Sequence, residues 1–170
     1  MIIKNLSGEV IYECRGGLLG AFLIDLDLAG AALAGTNLEG ARFDGSNLEG
    51  ADFTNADLYW ASFFSANLSN AVLRNADLRG ADLKGTILRG ALLDGANVGL
   101  DNVGGGASVQ GADFTGTRLE RTDLRGAVYD ETTIFPVDFD PQRAGMIANE
   151  KALEESRAKT ERRKRKKKDR

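Results

Sequence analysis

Ala76-Asp77-Leu78-Arg79-Gly80-Ala81-Asp82-Leu83-Lys84-Gly85 carries the rule that organises this chain. A small residue, an acidic one, a large apolar one, a variable one and a glycine return in the same order after five positions. Outward from this stretch the large apolar residue recurs at every fifth position from Leu18 to Val103. After a slip of one residue it resumes from Val109 to Tyr129. The small residue two places before it is mostly alanine, from Ala31 to Ala96. A period of five is neither the 3.6 of a helix nor the 2 of a strand, so it marks a repeat architecture.

Side chains two apart on an extended backbone share a face. In the unit Ala51-Asp52-Phe53-Thr54-Asn55, Ala51 and Phe53 therefore point inward and Asp52 outward. Returning a small residue inward after five positions requires a corner, and the corner residue is usually glycine, which accepts positive φ. The units predict short strand segments winding round a narrow core. Leu38, Phe43, Leu48, Phe53, Leu58, Phe63, Leu68, Leu73, Leu78 and Leu83 should all be buried in it. The third coil has Asn55, Trp60, Ser65, Asn70 and Asn75 at its corners, which predicts turns of another type there.

The tandem units Ala76-Asp77-Leu78-Arg79-Gly80, Ala81-Asp82-Leu83-Lys84-Gly85 and Thr122-Asp123-Leu124-Arg125-Gly126 resemble those of the pentapeptide-repeat family. The resemblance extends over residues 16–131. It implies an all-β solenoid, a right-handed quadrilateral parallel β-helix of about six coils with four units per coil. At a strand spacing of about 4.8 Å, this is a rod of roughly 27 Å.

Solenoid ends need caps. Residues 1–15 read as an N-terminal β cap with a hairpin turn at Ser7-Gly8. Residues 132–140, with Phe135, Phe139, Pro136 and Pro141 nearby, read as the closure of the last coil. Asp140 followed by Pro141 is a helix start signal, predicting a helix over 141–160. Residues 161–170 read as a disordered basic tail.

The formal net charge of −3 conceals a segregation: residues 151–170 carry 11 Lys/Arg against 4 Asp/Glu, and the rest of the chain 11 against 21. Such a tail serves interaction, folding back on the acidic body, or solubility. Arg74, Arg79, Lys84 and Arg89 make one coil basic in this reading, and Glu39, Asp44 and Glu49 make an earlier one acidic. No apolar run is long enough to span a membrane and no signal peptide is visible, which predicts a cytoplasmic location. Cys14 is the lone cysteine and is expected to be an unpaired thiol.

The chain contains no histidine, which removes the commonest general base and neutral metal ligand. Asp52, Asp57, Asp77, Asp82, Asp113 and Asp123 occupy one fixed repeat position, which argues for backbone bonding at turns rather than catalysis. Gly104-Gly105-Gly106 falls at the slip in period and reads as a bulge or small loop rather than a phosphate loop. No catalytic, cofactor or metal site is expected. Two features stand apart as candidate interaction sites. One is the trio Tyr59, Trp60 and Phe64, aromatic at positions facing outward. The other is the run Arg162, Arg163, Lys164, Arg165, Lys166, Lys167 and Lys168, suited to nucleic-acid phosphates or an anionic surface.

These features predict a non-enzymatic scaffold or binding protein whose partner is another protein, with homodimerisation and nonspecific nucleic-acid contact as further possibilities. The family resemblance implies an alternative, a DNA-mimic protein that binds DNA gyrase or a related topoisomerase.

Overall fold

The computed structural model describes residues 2–13 and 16–149. Its body is a coil in which each rung hydrogen-bonds the rung one coil on, twenty residues away over most of its length. Parallel bridges define four faces. The first runs Phe22, Arg42, Ser62, Asp82, Ser108 and Val128; the second runs Asp27, Asn47, Asn67, Ile87, Asp113 and Ile134. The third runs Ala32, Asp52, Val72, Leu92 and Arg118; the fourth runs Asn37, Asp57, Asp77, Asn97 and Asp123. Every rung residue sits at position two of its unit, outward, while positions one and three fill the inside.

All ten residues from Leu38 to Leu83 predicted to lie inside are fully buried, together with the alanines beside them. Phe43 and Phe63 stack at 5.0 Å between centroids. Phe53 enters from the opposite side and meets both edge-on at 5.8 Å. Where the small inward residue is Ser46 or Thr86, its hydroxyl donates to the carbonyl of Leu23 or Phe63, so no buried polar group is left unpaired there.

Nearly every corner is closed by an amide donating to the carbonyl three residues back, as in Ala81 to Leu78; at Asp25 the Leu26 amide donates to Ser46 Oγ instead. The glycine-free corners differ from their prediction. Asn55, Trp60, Ser65, Asn70 and Asn75 adopt φ between 54° and 58°, the same left-handed region that the corner glycines occupy. Their flanking amides make the same bonds, Ala56 to Phe53 and Ala61 to Leu58 among them. Rungs above and below hold the backbone, so side chains that disfavour this region are carried through it.

The slip in period is also larger than it reads. Past Val98 the next inward residue is Ala107, and Asp82 bridges to Ser108, twenty-six residues on. Six additional residues leave the coil as a short excursion, closed by a bridge between Leu100 and Gly106. Val103 is therefore not a core residue; it is 81% exposed at the tip of the excursion.

β1 (Ile2–Lys4) and β2 (Val10–Glu13) form an antiparallel hairpin. Asn5 Oδ1 accepts from the amides of Ser7 and Glu9, and Gly8 takes φ 87°. Lys4 and Leu6 bond Ala32 and Gly30, which sets the hairpin against the first coils, with Ile3 buried. At the other end Phe135 stacks on Phe114 and Phe139 on Phe135, extending the core.

The helix predicted over 141–160 is not formed by residues 141–149. Asp140 Oδ1 does cap the amides of Gln142 and Arg143. One turn later Gly145 takes φ 76° and ends it. Met146 drops into the core, and β4 (Ile147–Ala148) pairs in parallel with β3 (Val128–Tyr129) as a further rung of the first face. The backbone satisfies more hydrogen bonds on the waiting sheet edge than in a second solvated turn. Cys14 and residues 150–170, with the tail's Arg162 to Lys168, lie outside the described residues.

Candidate functional site

The carboxylates at position two are structural. Asp52, Asp57, Asp77, Asp82, Asp113 and Asp123 each accept the amide two residues ahead, at 2.9 to 3.1 Å. Each thereby fixes the entry to its corner. Among the described residues no group of histidine, cysteine or acidic side chains is placed to hold a metal. No helix of those residues is long and apolar enough to cross a membrane.

The basic coil of the sequence reading is neutral in the fold. Arg79 pairs with Asp77 at 2.6 Å, Lys84 with Asp82 at 3.1 Å and Arg89 with Asp113 at 2.6 Å. Arg74 and Arg118 flank the buried Asp94 at 3.5 and 3.4 Å. Neither Asp94 oxygen makes a hydrogen bond, so that contact is one of charge rather than of aligned donors. The acidic surplus is densest in the N-terminal coils, where residues 16–55 hold six carboxylates and one cation.

Arg125, doubly bonded to Asp123, holds that carboxyl below the usual carboxylate range. For Asp130 burial pushes upward, but bonds from Thr132, Gly111 and Thr133 outweigh it and the net shift is also downward. A carboxyl whose folded pKa is depressed stabilises the fold above its unfolded pKa, and that stabilisation is lost as pH falls through the folded one. Stability is therefore expected to hold down to about pH 5 and to fall as the pH drops through and below about 3.9. Denaturant midpoints between pH 7 and pH 2 check this, and Asp123→Asn should flatten the decline.

The aromatic trio is divided by the fold. Tyr59 and Trp60 share one corner, 6.1 Å apart and nearly parallel. Phe64 stands at the next corner, across Ser62, with 52% exposure. The Arg79 guanidinium lies 5.4 Å above the Tyr59 ring. Trp60 is 56% exposed, and its indole N–H donates to Asp101 Oδ2 at 3.1 Å. The indole lies across Gly80, where any Cβ would fall on the ring. Below it Leu19, Gly20, Glu39, Gly40, Tyr59 and Trp60 line a groove of about 470 Å³.

Asp101 is the residue that sequence reading missed. Its Oδ1 accepts from Val103 and Gly105, shaping the excursion, while its Oδ2 holds Trp60 forty-one residues away. The available signal was an acidic residue at the start of a glycine-rich slip.

Exposed apolar side chains occur at the N-terminal hairpin, on the excursion and along two faces of the coil. Leu19, Phe22, Trp60, Phe64 and Ile147 lie on the first face or its two corners, and the second face carries Ile87 and Ile134. Arg42 lies 5.8 Å over the Phe22 ring and pairs with Asp44.

Four faces of five-residue units around a filled core define a class of repeat solenoid. The family model of pentapeptide repeats matches residues 23–59, 61–98 and 105–128 in eight copies, and the chain belongs to that family. The family's fold is the right-handed quadrilateral β-helix, and the break after residue 98 falls on the excursion. Solved structures similar to this chain include a pentapeptide-repeat protein of the Arabidopsis thaliana thylakoid lumen. It is 25% identical over 74% of this chain and 74% of that one, with a TM-score of 0.48. Rfr23 from the cyanobacterium Cyanothece 51142 is 27% identical over 69% and 89%, with a TM-score of 0.36. QnrB1, a plasmid-mediated fluoroquinolone resistance protein, is 20% identical over 81% and 86%, with a TM-score of 0.39. No curated protein matches the chain.

Proposed function

We propose that the protein is a non-enzymatic scaffold that presents its first face, with Trp60 and Tyr59 at the centre, to a protein partner. The observation that carries this reading is the placement of exposed Leu19, Phe22, Trp60 and Phe64 together on the first face and its two corners. Aromatic side chains held in place at the centre of a patch are the usual anchors of binding energy. Trp60 is pre-organised by Asp101 and Gly80, so little ordering entropy opposes association. A filled core and carboxylates engaged with backbone favour binding over catalysis.

Affinity capture with the full chain and with Trp60→Ala tests the reading. The same partner should be retained by the full chain and by a chain lacking residues 161–170, and lost by Trp60→Ala. Loss on tail deletion with retention by Trp60→Ala would place recognition on the basic run instead.

The second reading, a DNA mimic that binds gyrase, is favoured by the acidic surplus of residues 16–55, which hold six carboxylates and one cation. The neutral coils that follow interrupt the continuous negative potential such mimicry needs. Absence of any effect on gyrase supercoiling at micromolar protein would remove it.

A further inference from the structure

The groove under Trp60 lies in the acidic half of the rod. Of the seven charged residues in 16–55 the sole cation, Arg42, is committed to Asp44. Glu39 lines the groove, and among the described residues no cation pairs with it. Beside it stands an indole with more than half its surface exposed. An aromatic face next to an unpaired carboxylate suits a lysine- or arginine-rich strand. The aliphatic stems lie on the rings, and the cationic heads meet both the ring faces and the carboxylate.

The chain carries such a segment and delivers it to this face. β4 adds to the first face, and the Asn149 amide bonds the Tyr129 carbonyl, one residue before the corner that stacks with that of Phe64. From there the Phe64 level lies four rungs down through Asp130, Gln110 and Lys84, about 19 Å at ~4.8 Å per rung. Residues 150–161 extend up to about 40 Å at ~3.3 Å each. That length covers the descent and leaves about 20 Å for crossing to Glu39 and Trp60.

We propose that Arg162 to Lys168 dock in cis along the first face, with their cations at Glu39 and over Trp60. The tail then covers the groove of its own molecule and is displaced by salt or by a competing polyanion. This inference stands whether or not a protein partner uses the face.

Trp60 is the only tryptophan of the chain, so acrylamide quenching of its fluorescence reads the groove directly. At low salt the full chain should be quenched about twofold less readily than a chain ending at Thr160, as a side chain 56% exposed loses roughly half that exposure under a covering strand. The protection should vanish near 1 M salt, where the screening length is about 3 Å. It should also be lost in full-length Glu39→Lys, and return to the truncated chain when a peptide of residues 161–170 is added. Equal quenching of full and truncated chains at low salt overturns the proposal, as does full protection in Glu39→Lys. Protection that rises with protein concentration would assign the tail to a second copy and overturns docking in cis.

Discussion

Phe53→Ala is expected to lower the unfolding free energy by about 3–5 kcal/mol. Phe53 is fully buried and makes edge-to-face contacts with both Phe43 and Phe63, which stack on each other from the opposite side. Truncation removes the transfer free energy of the ring and leaves a void that cannot close, because the rungs on either side fix the coil diameter. Each coil is stabilised only by its neighbours, so damage in the middle of the rod weakens the contact between its halves. Phe64→Ala, at an exposed corner directly after the buried Phe63, should change stability by less than about 0.5 kcal/mol. Denaturant midpoints of the two variants make the comparison. A loss below about 1 kcal/mol in Phe53→Ala would mean that the aromatic interior is not packed as described.

Gly106→Ala is expected to cost about 2–3 kcal/mol, the upper part of the range for forcing atoms into filled space. A Cβ at residue 106 falls well inside the van der Waals radius of the Gly126 carbonyl, on the rung above. The obstacle is backbone, which cannot rotate aside as a side chain can. Gly104, two residues earlier, has open space around it and takes φ 84°. Its replacement by alanine meets only the left-handed penalty of about 1–2 kcal/mol. Thermal midpoints of the two variants separate close approach from conformational strain. Equal shifts would show that the excursion does not pack against the Gly126 rung.

Much of this arrangement is legible in the sequence because the period is strict. Alternate inward positions place Leu38 to Leu83 in the core with no knowledge of the coil. The excursion is another matter. An insertion of six in a repeat of five shifts the register by one, so periodicity alone cannot separate it from a single-residue bulge, and Val103 stays on the count while leaving the core. The corners of the third coil look exceptional because glycine is missing, yet neighbouring rungs impose φ near 55° on Asn55 and Trp60 alike. At the C-terminal end the Asp140 cap is a true local signal, overridden by a sheet edge that only the assembled rod supplies. The site suffers most from distance in sequence. Asp101 and Trp60 are forty-one residues apart, and Arg89 finds Asp113 twenty-four residues on, so neither pairing can be read from a linear window.

The twenty-residue step between rungs has a kinetic consequence. Nearly all long-range backbone bonds join residues about one coil apart, as Leu48 with Asn67 or Leu73 with Leu92. No bond among them needs the two ends of the chain to meet. Contact order is thus low for a protein held together by non-local strand pairing. Once two coils have closed, each further coil adds to an existing edge at a nearly constant loop-closure cost. Folding advances as a zipper from a nucleus, and the terminal coils are the first to fray.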